Sequence, residues 1–116
     1  MAAKVIIHVD ENAKWSLALG NTANLLKSYA EESPPPVIEV LANSEAVKGY
    51  VNRNSGELAE NMKALANKGV LFAACGNALR GLSIARDALF PFVQVVPAGV
   101  RELADRQLEG YAYIKP

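Results

Sequence analysis

Five short apolar runs, each separated from the next by a stretch with helical spacing, constrain this chain more than any other feature. The runs lie at residues 5–9, 37–41, 70–74, 93–96 and 111–114, and Glu39 is the main break in their apolar character. Runs that are apolar throughout, rather than alternating, suit strands of a parallel sheet covered on both faces. Between them, Trp15, Leu19, Ala23, Leu26 and Ala30 recur every three or four residues. Leu58, Met62 and Leu65 repeat that spacing, as do Ala78, Leu82, Ala85 and Leu89, and then Val100, Leu103, Ala104 and Leu108. The order is βαβαβαβαβ. It predicts an α/β fold, a three-layer α/β/α sandwich on a mainly parallel five-stranded sheet with right-handed crossovers. The pattern leaves the strand order open.

Punctuation agrees with that order. Asp10 or Asn12 is placed to cap the first helix, and Pro34, Pro35 and Pro36 stop it. Residues 43–51 offer one or two helical turns through Ala46, Val47, Tyr50 and Val51, followed by a loop at 52–56. Asn54 and Glu57 have the spacing of a capping box, and Gly69 and Gly110 stand where helices should end.

A chain of 116 residues has the size of one domain, expected to span residues 1–116. Twelve basic side chains balance twelve acidic ones, with no Lys/Arg cluster, which argues against nucleic acid as a partner. Zero net charge gives little colloidal repulsion, tolerable where part of the surface is covered in an oligomer. The single cysteine allows no internal disulfide, and the first residues read straight into a strand rather than a signal peptide. No apolar run is long enough to span a bilayer. A cytoplasmic protein without a membrane association is expected, since a lone thiol stays available there.

In a parallel sheet the strand-to-helix turns line one edge, and ligands bind in the crevice beyond the carboxyl ends. Here those turns are residues 10–12, 42–44, 75–77 and 97–99. Among them only Cys75 offers a nucleophile stronger than a hydroxyl. It precedes Gly76 and Asn77, the expected start of a helix, where unpaired amides and the helix dipole favour an anionic sulfur. Gly76 leaves room for close approach, and Arg80 adds positive charge if its side chain reaches back. A free cysteine is also commonly a small buried hydrophobe, and that reading stays open.

Several sharper patterns fail. A cysteine phosphatase needs five residues between Cys and Arg, and here Arg80 follows after four. No P-loop and no dinucleotide-binding glycine pattern is present, and one His with one Cys is a poor metal set. His8 shares a strand face with Ile6 and Asp10 and reads more readily as a hydrogen-bonded core or interface residue than as a base. Trp15, Tyr29 and Tyr50 suit core or intersubunit packing.

Three stretches at these spacings carry a resemblance: residues 69–80, GVLFAACGNALR; residues 95–103, VVPAGVREL; and residues 107–116, QLEGYAYIKP. Together they resemble the DsrE/DsrF-like family, related to intracellular sulfur oxidation and sulfur relay. The resemblance implies a small α/β protein that assembles as a trimer or hexamer. It also implies a cysteine after the third strand, here Cys75, that carries sulfur as a persulfide. Gly76, Asn77, Asn43, Gly99 and Arg80 would then bind or line the anionic sulfur, with no cofactor and no metal. Sulfur donor and acceptor proteins are the implied partners. One departure is Ala42-Asn43-Ser44, where many relatives have a His-Gly or similar turn. The competing readings are a small anion- or nucleotide-binding module in the same crevice, and a non-catalytic assembly subunit with Cys75 buried.

Overall fold

The computed structural model describes residues 2–116. Five strands form one sheet: β1 Lys4–Val9, β2 Val37–Ala42, β3 Leu71–Cys75, β4 Val93–Val96 and β5 Ala112–Ile114. All neighbours are parallel, in the order β4-β3-β2-β1-β5. The helices are α1 Trp15–Ser28, α2 Glu57–Asn67, α3 Gly76–Gly81 and α4 Gly99–Leu108. Short 3-10 turns occupy Asn12–Lys14, Ser44–Tyr50 and Arg86–Ala88.

This order dictates which face each helix covers. From β1 to β4 every crossover steps to the next strand in one direction, so right-handed connections keep α1, α2 and α3 on one side. The step from β4 to β5 runs back across the whole sheet, so α4 lies on the opposite side. The two buried clusters match. Val5, Ile7, Val9, Ile38, Val40, Phe72 and Ala74 pack with Trp15, Leu19, Tyr50, Met62 and Leu65. Ile6, Leu41 and Ala73, from the other face, meet only Leu103 of α4 within the buried set. Tilted and edge-on aromatic contacts link Trp15 to Tyr50, Tyr50 to Phe72 and Phe72 to Phe92 on the thicker side.

The helix ends repeat one device. At Gly69 (φ 98°) its amide bonds Ala66 O at 3.0 Å and the Val70 amide bonds Leu65 O at 3.1 Å, which closes α2. The same pair of bonds ends α3 at Ser83, whose φ is 56°, with Ser83 N to Arg80 O at 3.1 Å and Ile84 N to Leu79 O at 2.9 Å. The helix expected to run on through Leu82, Ala85 and Leu89 therefore stops at Gly81, and Leu89 reaches the core from an extended segment bridged to Val51. The capping box at Asn54 and Glu57 does not form: Gly56 precedes α2, and the Asn54 side chain donates to Lys48 O instead. Neither Asp10 nor Asn12 caps the first helix through its side chain.

Ser83 holds a left-handed conformation that costs an L-residue about 1–2 kcal/mol, part of which glycine would return as unfolded-state entropy. Ser83→Gly is expected to raise stability by about 0.5 kcal/mol and Ser83→Val to lower it, read from denaturant midpoints followed by Trp15 fluorescence.

Candidate functional site

β3 carries Cys75 to the carboxyl edge on the face that α4 covers, two residues beyond Ala73 in the alternation of the pleat. The side chain is buried, 6% exposed. Its Sγ accepts two backbone N–H groups, from Gly99 at 3.2 Å and from Ala78 at 3.4 Å. Ala78 is the third residue of α3, so Cys75 is that helix's N-cap, with sulfur in place of the usual oxygen. A six-residue helix has little dipole of its own. The second donor opens α4, a ten-residue helix.

The topology explains why a residue 24 positions away lies on the sulfur. α4 begins beside β4 and must travel back over β3, β2 and β1 to reach β5, so its first residue passes directly above Cys75. The approach leaves little room for a side chain. A Cβ on Gly99 would stand 3.1 Å from the Cys75 Cβ, 3.3 Å from the Asn43 Cβ and 3.3 Å from Leu41 Cδ1. Gly99, Cys75 and Asn43 are thus gathered at one point of the edge.

Gly76, Asn77 and Arg80 are placed differently. The space beside Gly76 is taken by the chain itself, with Val96 O 3.0 Å and Pro97 O 3.3 Å from where a Cβ would be. Asn77 and Arg80 are exposed, and Arg80 Nη2 donates to Asn77 Oδ1, so the guanidinium is engaged on the outside of α3 rather than at the sulfur.

The edge holds further polar groups. His8 Nε2 lies 2.9 Å from Asn43 Oδ1, and His8 Nδ1 lies 2.7 Å from the Tyr113 hydroxyl. Lys115 Nζ reaches Asp10 Oδ1 at 2.9 Å. The hydrogen bond from Lys115 holds the Asp10 carboxyl below its ordinary value. The pleat places His8 on the correct face from sequence alone. Tyr113 and Lys115 carry no such signal, because only the pairing of β5 with β1 makes them neighbours of His8 and Asp10. Among the described residues no group of three or more His, Cys, Asp or Glu is placed to hold a metal ion.

Comparison with known proteins decides the lineage. The model of the DsrE/DsrF-like family matches residues 4–116. The chain belongs to this family. It is similar to the structure of a protein of unknown function, MTH1491 from Methanobacterium thermoautotrophicum, at 33% identity, 98% coverage of this chain, 99% of that one and a TM-score of 0.87. The ychN protein from E. coli shares the fold at 19% identity, with 98% and 99% coverage and a TM-score of 0.75. No curated protein matches. DsrE/DsrF-like proteins are generally linked to sulfur relay.

Beneath α4 lies one buried carboxyl. Glu39, in β2, is 4% exposed, and its Oε2 has no hydrogen-bond partner. Arg106 Nε is 4.0 Å from Glu39 Oε1 and 3.3 Å from Glu102 Oε2. Burial pushes Glu39 up to about 8, helped by Glu102, whose carboxylate favours a proton held on Glu39, and by the charge of Glu109, against that of Arg106. Burial thus favours the neutral form of Glu39 over the ion. The folded state binds this proton more tightly than the unfolded chain, so its contribution is complete below the ordinary carboxylate range and lost as pH rises to about 8. Glu39→Gln, which keeps the shape without the proton, should flatten the fall in stability over that window and leave the variant more stable than wild type above it. Thermal melts across the pH range check this.

Proposed function

We propose that this protein is a carrier of sulfane sulfur, held as a persulfide on Cys75. The observation that supports the reading best is the pair of backbone donors, Gly99 N and Ala78 N, that converge on one sulfur at the carboxyl edge of the sheet. N–H groups aimed at sulfur favour its anionic form, the nucleophile in exchange. In the loading step the Cys75 thiolate attacks the outer sulfur of a donor persulfide, R–S–SH. A new S–S bond forms on Cys75, the donor's S–S bond breaks, and R–S⁻ leaves with the electron pair. The outer sulfur keeps its proton until the product Cys75–S–SH ionises. Delivery to an acceptor thiolate is the same exchange in reverse, with no net oxidation, no metal and no organic cofactor.

A lone thiol with no resolving cysteine takes sulfur from a donor protein or low-molecular-weight persulfide and passes it to an acceptor protein, and a reducing compartment such as the cytoplasm keeps it free. The family resemblance implies a homo-oligomer, trimer or hexamer, and exposed Leu71, Val100, Leu108 and Tyr113 are available to be covered in one. No helix among the described residues is long and apolar enough to cross a membrane.

One observation favours a second reading. Cys75 is buried, which also suits an inert thiol in a non-catalytic assembly subunit. Intact-mass spectrometry after exposure to a sulfane-sulfur donor separates the two. The carrier reading expects a gain of about one sulfur atom, reversed by reductant and absent from Cys75→Ser. No gain, together with a thiol that alkylates only after unfolding, establishes the second reading instead.

A further inference from the structure

A row of polar side chains, Tyr113 of β5, His8 of β1 and Asn43 just past β2, runs diagonally up the α4-covered face toward Cys75. The β1–β5 register sets Tyr113 beside Ile6, two residues short of His8, and the β1–β2 register sets His8 beside Leu41, two residues short of Asn43. Each side chain therefore leans one pleat forward to meet the next, Tyr113 to His8 at 2.7 Å and His8 to Asn43 at 2.9 Å. The His8 ring is half-buried and packs against the Tyr113 ring at 5.8 Å between centroids, which limits its swing.

Hydrogen-bond chemistry gives this row a direction. An amide oxygen only accepts, so His8 Nε2 carries the proton that Asn43 Oδ1 receives. The neutral ring then presents a lone pair at Nδ1, and the Tyr113 hydroxyl donates to it. With Oδ1 bonded to His8, Nδ2 of the planar amide has no protein partner, Cys75 Sγ included. Cys75 is its neighbour on the β3 side. The register that pairs Ala42 with Ala74 puts the next residues, Asn43 and Cys75, level across β2 and β3. The absent side chain of Gly99 leaves their Cβ atoms flanking one notch.

We propose that His8 and Tyr113 are positioning residues that fix the Asn43 amide with its NH2 toward Cys75, making Asn43 a third donor to an anionic sulfur beside Gly99 N and Ala78 N. The reverse direction of the same row would turn the amide oxygen toward the sulfur, and an anion there disfavours it. The identity of that anion as a persulfide rests on the carrier reading. The orientation of the amide does not, because the unloaded thiolate needs the same donor.

The test is the titration of the Cys75 thiolate by its ultraviolet absorbance, each variant measured against the same variant carrying Cys75→Ser. This readout needs neither a sulfur donor nor access to the thiol. Asn43→Ala is expected to move the midpoint up by about one pH unit, the scale of one lost charge-assisted hydrogen bond. His8→Leu should move it by a similar amount, and the double variant no further than Asn43→Ala alone. His8→Gln, whose amide nitrogen can stand in for Nε2, should restore the wild-type midpoint. Tyr113→Phe, a change at an exposed side chain, should give a smaller upward shift and serves as the second probe if His8→Leu fails to fold. Additive shifts from His8 and Asn43, no rescue by glutamine, unchanged midpoints in the His8 and Tyr113 variants, or a thiol that never ionises before unfolding would each overturn the proposal. Sulfur uptake by mass spectrometry stays a separate readout, so a relay without loading, or loading without a relay, is recognised as such.

Discussion

The backward step from β4 to β5 is the constraint on which the rest of this structure depends. Four strands laid down in one direction leave a sheet with one covered face and one bare face. A right-handed return across all four can only cover the bare one. That return is α4, and its path decides the site. The helix has to enter over β3, so a backbone N–H from its first residue meets the sulfur at the end of that strand at 3.2 Å. Gly99 suits this contact, since a Cβ there would press tightly on Cys75, Asn43 and Leu41.

The two faces bear on this site unequally. The α1/α2 side is thick with aliphatic and aromatic contacts, while the α4 side buries few apolar residues around Leu103. Arg106, flanked on its own helix and its end by Glu102 and Glu109, reaches across to Glu39 of the sheet at 4.0 Å. A buried carboxyl that keeps its proton avoids the large desolvation cost of an ion, yet it ties the seating of α4 to pH. The layer that places a donor on Cys75 is thus also the thinner one.

At the carboxyl edge the strands do a second job. Their parallel registers turn side chains two residues apart on neighbouring strands into contiguous hydrogen-bonded rows, Tyr113–His8–Asn43 and Lys115–Asp10. The second row engages a carboxylate that would oppose an anion, and the first leads toward the sulfur. Membership of the DsrE/DsrF-like family, generally linked to sulfur relay, and the convergence of donors on Cys75 point the same way.

By itself the sequence determined the five strands, most of the helices, the face of His8, and Cys75 at a strand-to-helix turn. Each of these follows from local periodicity, chain punctuation or the alternation of a pleat. It misjudged the helix after Cys75, because apolar spacing through Leu82, Ala85 and Leu89 looks the same whether a helix continues or a left-handed Ser83 ends it. Gly76 and Arg80 were read as facing a ligand, whereas Gly76 packs on β4's exit and Arg80 turns to Asn77. Only the tertiary structure decided that Gly99 donates to Cys75, that Tyr113 and Lys115 join the edge, and that Glu39 lies under Arg106. Those contacts depend on strand order, and strand order is set by how whole layers pack rather than by any local pattern along the chain.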